Sequence, residues 1–144
     1  LAAVAGSRRM LDGASKIFTT GSFWYGSASM AASIKTIGIL KETDALAHIE
    51  AMGARFRDGF ASIAKGHGFV LHQTGPVQMP MLRFQDDPDL QIANAFCAAA
   101  LRYGIYLHPK HNMFLCSAHQ ADDIDQALEA ADKAMKDIAH LRGA

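Results

Sequence analysis

The chain has 144 residues, half of them apolar, with fourteen basic and fourteen acidic side chains and a formal net charge of zero. That length and apolar share are enough for one buried core and exclude a disordered chain. The Lys and Arg residues are scattered rather than clustered, which argues against a nucleic-acid surface, and the apolar runs are far too short to span a membrane.

Residues 1–5 (Leu-Ala-Ala-Val-Ala) form a short apolar run closed by Gly6-Ser7 and read as the end of a buried strand. The run is too short for a signal-peptide core and has no basic stretch ahead of it, so a cytoplasmic protein is expected. Because the chain opens on Leu inside this run, we expect a fragment whose upstream part lies elsewhere. Ser7 is predicted to cap a turn through Arg8-Arg9-Met10-Leu11, which Asp12-Gly13 breaks, and Lys16-Ile17-Phe18 reads as a short extended piece.

Residues 18–27 gather Thr19, Thr20, Gly21, Ser22, Gly26 and Ser27 directly before a small-residue helix. Two readings are open. The hydroxyls are either a plain helix cap, or part of an anion site in which backbone N–H groups and the positive end of the helix dipole meet a phosphate. Gly21 and Gly26 have the outer spacing of an ATP-type phosphate loop, but Ser27-Ala28 stands where that motif needs Lys and a hydroxyl residue. A dinucleotide fingerprint fails as well, because no stretch supplies its three glycines.

From 28 to 40 the apolar positions Met30, Ile34, Ile37 and Leu40 recur at helical spacing, with alanines and serines between them, and predict a helix buried on more than one side. Lys41-Glu42 is a polar stop. Thr43 is predicted to cap a second helix, with Asp44 in its first turn. Leu46, Ile49, Met52, Phe56, Phe60 and Ile63 form its apolar stripe, Glu50, Arg55, Arg57 and Asp58 its solvated face, and Gly66-His67-Gly68 its end.

Short strands are expected at 69–71 and 79–84, joined by the turn Thr74-Gly75-Pro76, with Met79 and Met81 alternating into the core. Asp87-Pro88-Asp89 opens a helix through Leu90, Ala93, Cys97, Ala100 and Leu101 that Gly104 closes. Two more strands, 105–107 and 113–116, flank His108-Pro109-Lys110-His111. The last helix runs from about 121 to 141 with Ile124, Leu128, Ala131, Met135 and Ile138 inward, acidic residues at its start and basic ones toward its end. The natural boundary lies near Gly66: helices and a truncated strand over 1–66, a compact α+β unit over 67–144.

Other reactive residues give weaker patterns. Cys97 and Cys116 lack metal-ligand spacing and read as reduced, buried thiols. His108 and His111 stand at a spacing that can place two imidazoles on one metal, with His119 nearby. Without a neighbouring Cys, Asp or Glu ligand they read instead as loop residues bonded to backbone. Ser7 with His48 or His72 offers the residue types of a hydrolase triad, but no Gly-x-Ser-x-Gly elbow presents the nucleophile.

Taken together, residues 1–10 (Leu-Ala-Ala-Val-Ala-Gly-Ser-Arg-Arg-Met), Thr20-Gly21-Ser22 through Met30-Ala31-Ala32, Gly104-Ile105-Tyr106-Leu107-His108-Pro109 and Ser117-Ala118-His119 through Asp122-Asp123-Ile124-Asp125 resemble the C-terminal part of class III aminotransferases. The nearest look is the glutamate-1-semialdehyde 2,1-aminomutase group. The resemblance implies a partial α/β fold of the fold-type I pyridoxal phosphate transferases: 1–66 as the C-terminal remainder of the large cofactor-binding domain with connecting helices, and 67–144 as the small α+β domain. It implies a homodimer with its active site at the interface, pyridoxal 5'-phosphate (PLP) as cofactor, and transfer of an amino group between a small amino acid or amine and a carbonyl substrate.

The family's cofactor-bound lysine would lie upstream of Leu1, so no catalytic residue is expected within the chain. Lys16, Lys35, Lys41, Lys65, Lys110, Lys133 and Lys136 read as surface or helix-end residues. A Gly-Thr pair that reaches the cofactor phosphate of the neighbouring subunit corresponds to Gly21-Ser22, with Thr20 as the alternative under a one-residue shift. Phe23-Trp24-Tyr25 is bulkier than the aminomutase pattern. No metal is implied. The alternative to an enzyme segment is a non-catalytic piece serving packing and dimerisation.

Overall fold

The computed structural model describes residues 5–18, 21–22 and 26–142. The chain divides into two compact units, Leu1–Thr43 and Asp44–Ala144.

In the first unit a 3₁₀ turn, Arg8–Met10, runs directly into the single-turn helix α1 (Leu11–Ala14). Ser7 occupies the N-cap position, but its hydroxyl makes no cap bond; its carbonyl accepts from the Met10 N–H at 2.9 Å. Asp12-Gly13 does not break the turn as expected. A single glycine costs a helix only about 1 kcal/mol, and here the Ser15 hydroxyl donates to the Asp12 carbonyl while Lys16 pairs with the Asp12 carboxylate at 2.7 Å. Lys16 and Ile17 then continue as a turn, their N–H groups donating to Gly13 and Ala14, and not as an extended piece. Of the expected strand at 1–5, all but Ala5 lies outside the described residues, and Ala5 has no regular structure.

Helix α2 (Ser27–Glu42) forms slightly longer than expected, yet it buries none of its residues, and Ile34 is 74% exposed. The expectation of burial on several sides therefore fails within this unit, where α1 and the short 3₁₀ turn offer too little surface to cover a four-turn helix. The N–H and the hydroxyl of Thr43 both donate to the Ile39 carbonyl, at 3.1 and 2.7 Å, and so close α2; the N-cap of the helix that follows is Asp44.

The second unit is built on α3 (Ala45–Gly66), which buries Gly53, Phe56, Phe60 and Ala64. Met52 and Ile63 pack partly buried beside them, while Leu46 at the amino end of the expected stripe is exposed. Helix α5 (Ala121–Asp137) packs on α3 and on α4 and buries Ile124, Ala130, Ala131, Ala134 and Met135, and the 3₁₀ turn Ala139–Leu141 follows it. Its alanines permit close approach, and Gly59 of α3 lies where a Cβ would strike the Leu128 side chain. Because α3 packs on α5 and on β1, it belongs to the second unit, which begins at Asp44.

Helix α4 (Gln91–Arg102) presents Ala93, Phe96, Ala99 and Ala100 to the same core. The buried face is rotated from the expected one: Phe96 is 3% exposed and Leu101 58%. Its start is held by Asp87, whose carboxylate accepts from the N–H groups of Ile92 and Ala93 at 3.0 and 2.8 Å. Its end is closed by Gly104 at φ +91°, with the Ile105 N–H returning to the Ala100 carbonyl, as expected of a glycine at this position.

Strands β1 (Leu71–Thr74) and β2 (Met81–Phe84) pair antiparallel, Leu71 opposite Phe84 and Thr74 opposite Met81. Phe69 is buried but precedes the strand, because its N–H is used to close α3 on the Ala64 carbonyl. The strands expected at 105–107 and 113–116 do not form. Met113 and Leu115 donate to the carbonyls of Pro80 and Gln78, both at 2.9 Å, in an antiparallel sense. Pro80 has no N–H to return the bond, and the described sheet stays two-stranded.

Two of the four residues expected on a solvated face instead tie elements together. Arg55 forms a bidentate pair with Asp125 of α5 at 2.7 Å on both arms. Arg57 donates to the Gly75 carbonyl at 2.7 Å and accepts at its own carbonyl from Gln73. Glu50 and Asp58 are exposed as expected.

The closeness of α3 to the 77–78 backbone is directly testable. A Cβ on Gly53 would strike the Val77 carbonyl, a rigid backbone atom, whereas one on Gly66 would meet nothing within 4 Å. Gly53→Ala should therefore cost about 1–3 kcal/mol of stability in denaturant titration. Gly66→Ala should be neutral or stabilising by up to about 1 kcal/mol.

Candidate functional site

Two regions carry groups able to bind a ligand, one in each unit. In the first unit Gly21 and Ser22 are exposed and precede α2, while Thr20 lies outside the described residues. The N-cap of α2 is Gly26, and among the described residues no side chain caps the helix. The first turn also holds no acidic residue. The sixteen-residue helix offers leading N–H groups and a positive dipole end, features suited to an anion, and Ser22 lies upstream of it in the chain.

In the second unit an open cleft of about 750 Å³ is walled by the loop from Gly104 to His119, by Phe56 of α3 and by Asp123, Ile124 and Ala127 of α5. Its aromatic edges, Tyr106 and Phe114, are 77% and 60% exposed. The Gly104 cap fixes where the loop leaves α4. At the other end the His48 Nε2–H donates to the His119 carbonyl at 2.7 Å, and the Asp123 carboxylate accepts from the Gln120 N–H at 2.8 Å to open α5.

His108 and His111 meet edge to face with ring centroids 6.2 Å apart. Each is tied to backbone, as expected: His108 Nδ1 accepts from the Lys110 N–H at 3.1 Å, and His111 Nδ1 donates to the Asn112 carbonyl at 2.8 Å. His119 Nδ1 accepts from the Cys116 N–H at 3.0 Å. Among the described residues no three His, Cys, Asp or Glu side chains converge as a metal site. Sequence reasoning found the two histidines but not the cleft, nor Asn112, Tyr106 and Phe114 in its wall. The alternation of His, Asn and aromatic residues over 106–114 was the available signal.

The cysteines differ from each other. Both are free thiols, Cys97 half-buried on α4 and Cys116 exposed, against the expectation that both are buried. Cys116 ends the 113–116 segment, and its sulfur lies 3.4 Å from His119 Nδ1. Met79 is likewise exposed and not in the core, while Met81 is half-buried.

No family model matches the chain. It is 46% identical over 146 residues to an aminopentol aminotransferase of Sphingopyxis macrogoltabida, covering 99% of the chain and 35% of that protein. It is 28% identical over 139 residues to a glutamate-1-semialdehyde 2,1-aminomutase of Citrifermentans bemidjiense, covering 88% and 33%. FumI of Sphingopyxis sp. MTA144, solved in its PLP internal aldimine form, superposes with a TM-score of 0.81 at 47% identity, over 94% of this chain and 33% of that one. The chain spans about a third of the length of the curated relatives it matches. Its architecture is part of the fold-type I α/β fold, as the resemblance implied.

Burial raises the Cys97 thiol to a pKa of about 11. At pH 8 only roughly one molecule in a thousand carries the thiolate there, so an alkylating reagent should modify Cys116 first and leave Cys97 nearly untouched. The Cys97 rate should climb about tenfold per pH unit until the pH reaches that value, which mass spectrometry of alkylated peptides will follow.

Proposed function

We propose, on the premise that this chain is similar to a part of the class III PLP-dependent aminotransferases, that it is a segment of an enzyme moving an amino group between an amine or amino acid and a carbonyl compound. The observation that carries this reading is 46–47% identity, over nearly the whole chain, to an aminopentol aminotransferase and to a PLP-bound structure of the same fold. Identity to the aminomutase is 28%, which favours aminotransfer over the mutase reaction.

The residues ahead of α2 fit the cofactor's phosphate. The Ser22 hydroxyl would donate to a phosphate oxygen, Gly21 would let the backbone come close, and the uncapped N–H groups of α2 would add partial positive charge. Thr20 is the alternative hydroxyl. When bound, PLP supplies an electron-withdrawing ring that eases proton loss at the substrate carbon. The lysine that bonds it is placed outside residues 1–144, and the phosphate contact is made across a homodimer interface. In this reading the protein works in the cytoplasm. Among the described residues no helix is long and apolar enough to cross a membrane.

In the complete enzyme, Ser22→Ala should weaken PLP retention by the worth of a charge-assisted hydrogen bond, about 1.5–3 kcal/mol, read as faster cofactor loss on dialysis. Unchanged retention would remove Ser22 from the site. The 144-residue chain alone should show no absorbance of a lysine-bound cofactor.

A further inference from the structure

Cys116 and His119 form a reactive pair that the phosphate site does not use. Residues 116–119 make a tight turn just before α5: the His119 N–H donates to the Cys116 carbonyl at 3.2 Å, and the Cys116 N–H donates to His119 Nδ1 at 3.0 Å. From α3, the His48 Nε2–H fixes the His119 carbonyl at 2.7 Å. His119 is half-buried and held by these bonds, whereas Cys116 is exposed.

The backbone bond to the ring decides where the protons are. A ring nitrogen that accepts an N–H carries no proton of its own, so Nδ1 is the basic atom of His119. Cys116 Sγ lies 3.4 Å from the same Nδ1, and the hydrogen between them therefore belongs to sulfur. A thiol donating to a fixed imidazole has the arrangement of a nucleophile with its base, the base being oriented in turn by other groups. Cys97 provides the contrast within the same chain, since it is half-buried and its thiol is raised to a pKa of about 11.

We propose that Cys116 is a site of reversible thiol–disulfide exchange, with His119 as its base and a small organic disulfide as the co-reactant. As Sγ attacks one sulfur of the disulfide, its proton passes to His119 Nδ1. The new Sγ–S bond forms while the old S–S bond breaks, and the departing sulfur leaves as a thiolate that takes the proton from Nδ1. Cys116 is oxidised to a mixed disulfide and the departing half is reduced to a thiol, so no further oxidant is needed. While Nδ1 holds the proton it releases the Cys116 N–H, and at this exposed residue water can accept from it. Leu115 and His119, on either side of Cys116 in the chain, both line the cleft, so the adduct forms at its edge. The exchange needs no cofactor and is independent of the aminotransferase reading.

The test is the rate at which bis(2-hydroxyethyl) disulfide modifies Cys116 of the complete protein near neutral pH, followed by mass spectrometry of its peptides. The reference is a synthetic peptide of residues 112–121, which holds both side chains without the fold. General-base assistance is commonly worth about 10²–10⁴ in rate, and the folded protein should exceed the peptide by at least about tenfold. His119→Asn, whose Oδ1 can still accept the Cys116 N–H but is too weak a base to take the thiol proton, should bring the rate down to that of the peptide. Dithiothreitol should reverse the modification, and Cys97 should stay unmodified over the same time. A folded protein no faster than the peptide, or a His119→Asn variant as fast as the unaltered protein, would overturn the proposal. If His119→Asn loses its helical circular dichroism, the comparison of protein with peptide decides alone.

Discussion

Five phenylalanines in edge-to-edge sequence hold the second unit together. Phe56 and Phe60 on α3 have ring centroids 4.5 Å apart; Phe60 meets Phe96 of α4 at 6.1 Å, Phe96 meets Phe84 of β2 at 5.6 Å, and Phe84 meets Phe69 at 5.5 Å. Three of these four contacts are near-perpendicular, the arrangement that aromatic quadrupoles favour. Phe60, fully buried at the centre, joins helix to helix, and Phe84 joins helix to strand. Each such ring contributes about 1.5–3 kcal/mol by burial alone. Helix α5 closes the core with Ile124, Met135 and three alanines.

The cleft depends on that core at both of its ends. Loop 104–119 leaves α4 at a glycine cap and returns to α5 at an aspartate that caps the next helix, so its span is set by how α4 and α5 pack on the phenylalanines. Between those anchors Met113 and Leu115 lean on the Pro80 and Gln78 carbonyls, and His119 is gripped by His48 from α3. A loop without regular structure is thereby held in one course, and its imidazoles are given definite tautomers by backbone bonds.

The two candidate sites work by different physics. Ahead of α2, partial charges on N–H groups left without a cap would meet an anion, and the absence of acidic side chains in the first turn keeps that field intact. The cleft is instead lined mostly by apolar side chains, and its one carboxylate, Asp123, is engaged at the start of α5. Helix α2 is apolar on much of its surface and buries nothing, so its helicity rests on alanine, leucine and lysine propensity more than on packing in its own unit.

Helix positions and ends in the second unit were legible wherever local chemistry decides them. The stripe from Met52 to Ile63, the Asp87 start of α4, the Gly104 stop and the acidic opening of α5 all follow from periodicity, side-chain caps and the conformational freedom of glycine, which act within a few residues. The likeness to aminotransferases was readable too, because four separated stretches kept their order. Tertiary structure alone decided what depends on partners distant in sequence: Phe96 inward and Leu101 outward on α4, Arg55 bound to Asp125, Thr43 closing α2, and Pro80 denying a ladder to residues 113–116. The cleft belongs to that second group, since spacing along the chain places His108 and His111 near each other but only the packing of the 104–119 loop with α3 and α5 makes the wall in which they stand.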